Sequence, residues 1–154
     1  MNNCLMSFLY ALSPRNKSMV SPLIDAGIPL HNVAILGGGD GGVCHDAFDD
    51  ERADIINDDV FRFLDNHRRF DAIIYDLTMH PETFIDMDRE VFLDRLFTKI
   101  KAGLKPSGMV TAQCCSHYDE ETLKVAETIM KTFFSNVRFT KTYIPSYCTP
   151  WVFS

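Results

Sequence analysis

The sequence predicts an α/β domain built on a doubly wound, mainly parallel sheet that ends in a C-terminal antiparallel hairpin. Two observations point there. Apolar runs of strand length alternate with stretches whose apolar residues recur at helical spacing, so helices connect successive strands and cover both faces of the sheet. The segment Val137–Ser154 then holds two strand candidates with no helix between them, which is the pattern of a hairpin.

Each element follows from its residues. Ser21-Pro22 reads as N-cap and first position of a short helix to Ala26, and Gly27-Ile28-Pro29 turns the chain into the strand Val33–Leu36. A glycine loop follows. Val43–Glu51 has room for two helical turns before a second short strand candidate, Ala53–Ile56. Asp58 or Asp59 caps a helix carrying Val60, Phe61, Phe63 and Leu64. Asp71–Tyr75 reads as a buried strand, and Arg89–Leu104 as a helix stopped by Lys105-Pro106-Ser107-Gly108. Met109–Cys114 is a strand, Asp119–Phe134 a helix, and Val137–Ile144 and Trp151–Phe153 the closing strands. One domain is expected, with residues 1–32 as a helical lead-in and 33–154 as the core.

Composition narrows the partners. Fifteen Lys and Arg against 21 Asp and Glu give a net charge of −6 with no basic cluster to track a phosphate backbone, so nucleic acid is not expected. Apolar runs fall short of the ~20 residues of a membrane span, and Met1-Asn2-Asn3-Cys4 lacks the basic start of a signal peptide. A cytoplasmic protein is the expectation. Five Cys is an odd count without C-x-x-C spacing, and the default reading is reduced thiols that pack as small hydrophobes.

In doubly wound sheets ligands bind outside the carboxyl ends of the strands, so chemistry is sought just after Leu36, Ile56, Tyr75 and Cys114. Gly37-Gly38-Gly39-Asp40-Gly41-Gly42 lets the backbone turn sharply and meet a ligand that any Cβ would exclude. Asp40 at its centre repels phosphate and suits an ammonium or sulfonium group; the alternative is a tight structural turn. Asp58 either accepts from an adenine amino group or caps the following helix. Asp76 ends the most hydrophobic strand, where a carboxylate is costly without a partner. Trp151 and the Phe-rich helices read as core.

Val33–Gly42, Asp58 and Phe70–Asp76, followed by Leu104–Val110 with Gln113 and by Tyr143-Ile144-Pro145-Ser146-Tyr147, together resemble the spermidine synthase family of polyamine aminopropyltransferases. The resemblance covers Val33–Phe153. It implies a Rossmann-like, class I methyltransferase-like fold with no prosthetic group. The implied co-substrate is decarboxylated S-adenosylmethionine or S-adenosylmethionine itself, and the aminopropyl group passes to an amine. By position, Asp40 would hold the amine of the aminopropyl chain, Asp58 the adenine, and Asp76 the attacking amine and its proton. Gln113 would lie in the pocket floor, with Gly37, Gly38, Gly39, Gly41, Asp59 and Tyr147 completing the substrate-binding set.

Three features depart from the family pattern. Only Val43–Ile56 fills the gap where the family has a strand, a helix and a ribose-binding acid, and Asp46, Asp49, Asp50 or Glu51 either substitute or form a solvated cluster. His80-Pro81 stands where the family has Asp-Pro, so His80 is a second catalytic candidate, as a base, or is structural. The family's N-terminal β domain has no counterpart before Val33, so the acceptor site is open or rebuilt by a neighbouring subunit. A homo-oligomer is therefore expected. Two other functions stay open: a lyase releasing methylthioadenosine and homoserine lactone from S-adenosylmethionine, and a non-catalytic nucleoside-binding homologue.

Overall fold

A computed structural model of the chain describes residues 14–37, 51, 53–83 and 85–154. Helix α1 (Pro14–Asp25) leads into strand β1 (Val33–Gly37), and helix α2 (Val60–Asn66) into strand β2 (Phe70–Asp76). Helix α3 (Arg89–Gly103), strand β3 (Leu104–Ser116) and helix α4 (Glu120–Phe133) follow, then the hairpin of β4 (Thr140–Ile144) and β5 (Thr149–Phe153). The strands lie in the order β1-β2-β3-β5-β4. β1, β2 and β3 are parallel, while β5 runs antiparallel to both β3 and β4. The doubly wound sheet and terminal hairpin read from the sequence are therefore present.

Strand parity decides which side chains meet which helices, because successive residues point to opposite faces. Ala72 and Ile74 of β2 pack with Met19, Val20 and Leu23 of α1, together with Ile144 and Phe153. Ile73 and Tyr75 point the other way, into the larger cluster with Leu93, Leu96, Phe97 and Ile100 of α3 and Ala126, Ile129 and Met130 of α4. The sheet is thus covered on one face by α1 and on the other by α3 and α4.

Helix termini are set by side-chain caps. Asp59 accepts from the Phe61 and Arg62 amides at 3.0 and 3.1 Å, Asp88 from Val91 at 3.0 Å, and Asp119 from Thr122 at 3.0 Å. Of the two cap candidates for α2, Asp59 is the cap. At the other end of β2 from Asp76, Asp71 ties three segments together. Its carboxylate accepts from the His31 and Asn32 amides at 3.0 and 2.9 Å and pairs with Lys105 at 2.5 Å.

Four expected elements differ. The first helix starts at Pro14, not Ser21, and Pro22 lies inside it. The apolar stripe of Met19, Val20 and Leu23 holds the helix to the sheet across the amide that Pro22 lacks. Ala53–Ile56 forms no strand: Ile55 and Ile56 are 65% and 48% exposed, and β1 pairs directly with β2. Two apolar residues between Asp54 and Asn57 offer too little surface to bury. β3 begins at Leu104, because Lys105–Gly108 is absorbed as an irregularity between the pairs Phe70–Leu104 and Ala72–Met109. β4 begins only at Thr140, since Val137 and Phe139 pack into the α3/α4 cluster before the strand starts. The expected turns from Val43 lie outside the described residues, except Glu51, which sits in a turn.

Candidate functional site

Parity carries two predicted residues to the same place. Asp76 continues the Ala72, Ile74 side of β2, and Gln113 continues the Met109 side of β3, so both project on the face covered by α1. Neither meets a vacant surface there. Arg15, in the first turn of α1, forms an ion pair through Nη2 with Asp76 and donates from Nε to Gln113 Oε1 at 3.2 Å. The side chains of Arg15 and Asp76 are only 13% and 8% exposed. One guanidinium thus bridges acceptors at the carboxyl ends of two adjacent parallel strands.

Gly37 stands beside them. It is paired with Asp76 in the β1–β2 ladder and has φ +101°, and a Cβ at this position would lie 2.3 Å from the Asp76 carbonyl oxygen. The first residue of the glycine loop is therefore required by the backbone of the strand that carries the candidate acid. Gly38, Gly39, Asp40 and Gly41 lie outside the described residues.

The other expected site residues are spread around this point. Asp58 Oδ1 accepts from the Asp59 amide at 2.8 Å and pairs with Arg62 Nε at 3.0 Å, one helical turn along. Tyr147 lies in the turn Pro145–Tyr147 between β4 and β5, its ring 4.8 Å from that of Trp151. Because β4 runs in the same sense as β3, this turn is at the carboxyl end of the parallel strands, two strand positions beyond β3. Trp151 packs against the α1-face core, as its reading as a core residue requires.

His80 belongs to a different cluster, on the α3/α4 side. Its Nδ1 is 3.1 Å from Glu82, and its Nε2 is 2.9 Å from the Thr122 hydroxyl and 3.4 Å from Asp119. Arg89 completes the group through Thr122 at 3.2 Å and Glu121 at 2.6 Å. Burial opposes the charge on Asp119. The Thr122 amide and hydroxyl and His80 outweigh it and hold the carboxyl below the ordinary range. These residues line an open polar cleft of about 410 Å³ with Asp88. Both ring nitrogens of His80 are thus engaged with this cluster.

Cys114, Cys115 and Cys148 are free, the first two buried. Burial, with Cys115 adjacent, pushes the Cys114 thiol up to about 12, and burial together with Asp119 pushes Cys115 to about 11, so neither is a ready nucleophile. The residue missed in the sequence is Arg15. Its partners are 61 and 98 positions away, a separation for which no local pattern gives a sign.

A mainly parallel sheet flanked by helices, with candidate residues at the carboxyl ends of its strands, makes this a Rossmann-like α/β domain. The chain belongs to the spermine/spermidine synthase family, whose domain profile matches residues 43–154. Among curated relatives, the polyamine aminopropyltransferase of Sulfolobus acidocaldarius is 25% identical over 174 residues, covering 90% of this chain and 57% of that protein. The spermine synthase of Saccharomyces cerevisiae is 29% identical, covering 75% and 51%. The polyamine aminopropyltransferase of Caldicellulosiruptor bescii is 30% identical, covering 75% and 52%. A spermidine synthase solved with the transition-state analogue AdoDATO shares the fold at TM-score 0.62 and 19% identity, over 80% of this chain and 55% of that one. The Thermotoga maritima spermidine synthase does so at TM-score 0.59 and 19% identity, over 80% and 53%. The chain therefore spans somewhat more than half the length of these relatives.

Proposed function

We propose that this chain carries the nucleoside and amine site of an aminopropyltransferase that uses decarboxylated S-adenosylmethionine and a cationic alkyl amine. The observation that carries the reading is the pair of oxygen acceptors, Asp76 and Gln113, turned to the same face and already satisfied by a cationic group. Gly37 keeps the adjacent backbone free of a Cβ, and the family's named members act in this class of chemistry.

In the reaction, the bound ammonium first gives a proton to Asp76, and the freed lone pair attacks the carbon next to the sulfonium. The new C–N bond forms as the C–S bond breaks, its electrons pass to sulfur to give a neutral thioether, and the product leaves as a secondary ammonium. Asp76 would orient the nucleophile and take that proton, and alignment would supply much of the acceleration. Asp40 would hold the aminopropyl amine and Asp58 the adenine. Nothing in the geometry favours the lyase, and the named relatives are transferases.

The test is incubation of the full chain with decarboxylated S-adenosylmethionine and putrescine, with methylthioadenosine and the aminopropylated amine as products. Asp76→Asn is expected to lower turnover by about 100-fold or more while nucleoside still raises the melting temperature. Turnover that survives this change removes Asp76 from the chemistry. Failure of any nucleoside to stabilise the chain favours the non-catalytic homologue. Self-association belongs to the same proposal and is read by light scattering, where a monomer overturns it.

A further inference from the structure

We infer that Arg15 is a specificity-determining residue: its guanidinium occupies the acceptor-amine position, so an amine binds only by displacing it. This rests on the reading of Asp76 as the acid that holds the amine.

The argument begins with the acceptors. Asp76 offers carboxylate oxygens and Gln113 offers Oε1 to the same guanidinium. A primary ammonium has three N–H donors and could satisfy the same two acceptors. A guanidinium and an alkylammonium therefore compete for one set of oxygens, and low exposure of both partners keeps water from screening the contest.

The backbone that presents Arg15 is held independently of this ion pair. Met19, Val20 and Leu23 anchor α1 to the sheet, and the Ser18 hydroxyl meets that of Thr142 on β4 at 2.6 Å. Displacement is then a change of side-chain rotamers, with the helix left in place. Such a residue selects among acceptors. A neutral molecule gains nothing from Asp76 that would offset release of Arg15, whereas an amine cation replaces one ion pair with another. Apparent affinity falls in proportion to the fraction of molecules in which the acid is open, so Arg15 in place nine times in ten costs about a factor of ten.

Calorimetric titration of putrescine into the full chain, with and without methylthioadenosine, tests this. Arg15→Met is expected to bind putrescine about tenfold more tightly than wild type. Arg15→Gln, which is neutral but polar, should shift affinity in the same direction if the methionine variant fails to fold. Arg15→Lys keeps the charge and should stay near wild type. A merely structural role for Arg15 would loosen binding. Equal or weaker binding by the neutral variants overturns the inference. If Asp76→Asn weakens the wild type in that same experiment, the reading of Asp76 survives without it. If Asp76→Asn changes nothing, or no protein binds putrescine, both fall together.

Discussion

Replacing Gly37 by alanine tests how the strand ends are joined. Two costs add at this position. The φ of +101° is one that L residues rarely adopt, a strain of about 1–3 kcal/mol, and the added Cβ would sit 2.3 Å from the Asp76 carbonyl oxygen. Since that neighbour is backbone, relief requires β1 and β2 to separate at the site, an overpacking cost of about 1–3 kcal/mol more. The expected loss is about 4 kcal/mol, a large part of an ordinary domain's stability. For a chain of this size that lowers the melting temperature by about 8–16 °C. Gly27→Ala is the control. Gly27 has φ +65° with nothing within 4 Å of a Cβ, so only backbone strain of about 1–2 kcal/mol applies. Restricting the unfolded chain favours alanine equally in both and cancels in the comparison. Urea denaturation of the two variants measures the difference. Equal losses would refute the claim that contact with the Asp76 carbonyl dictates glycine.

Two further outcomes concern acids outside the proposed chemistry. Burial raises the Asp71 carboxyl, but Lys105 and the Asn32 and His31 amides together hold it below the ordinary range. Its contribution to stability is therefore complete above the unfolded value of about 3.9 and is lost as pH falls through the depressed folded value. The stability gap between wild type and Asp71→Asn should be full above about pH 4 and shrink in stronger acid, and a gap constant with pH refutes this pairing. Asp119→Ala should cost about 1 kcal/mol through loss of the cap on α4, with Asp119→Asn recovering most of it in the same thermal melts.

What was legible in the sequence had local signatures. The strand expected over Asp71–Tyr75 is marked by the apolar run Ala72-Ile73-Ile74-Tyr75, and α4 by Asp119 followed by an amphipathic stretch. The first helix begins before its expected start at Ser21, because Ser13-Pro14 and Ser21-Pro22 carry the same start signal and only packing against Ala72 and Ile74 shows how far the helix extends. Ile55-Ile56 looked like a strand because composition cannot report whether a neighbouring strand is present to receive it. In the candidate site, Asp76 is marked by its place at the end of a buried strand and Gln113 by the family resemblance alone. That one cation joins them follows from parity across two strands and a helix from the opposite end of the chain, information that no window of sequence holds. His80 is a candidate base because His80-Pro81 stands where the family has Asp-Pro, with a structural role as the alternative; its hydrogen bonds run to Glu82, Thr122 and Asp119.

β2 carries an ion-paired aspartate near each end: Asp71 with Lys105 fastens loops at one, and Asp76 with Arg15 meets the candidate site at the other. Five residues of extended chain separate them, about 16 Å, and their odd spacing sends the two side chains to opposite sides of the sheet. Robustness and chemistry are thereby decoupled along a single strand. Mutational drift at the Asp71 end can alter how well the domain survives heat or acid while the Asp76 end remains free to acquire a different ligand preference.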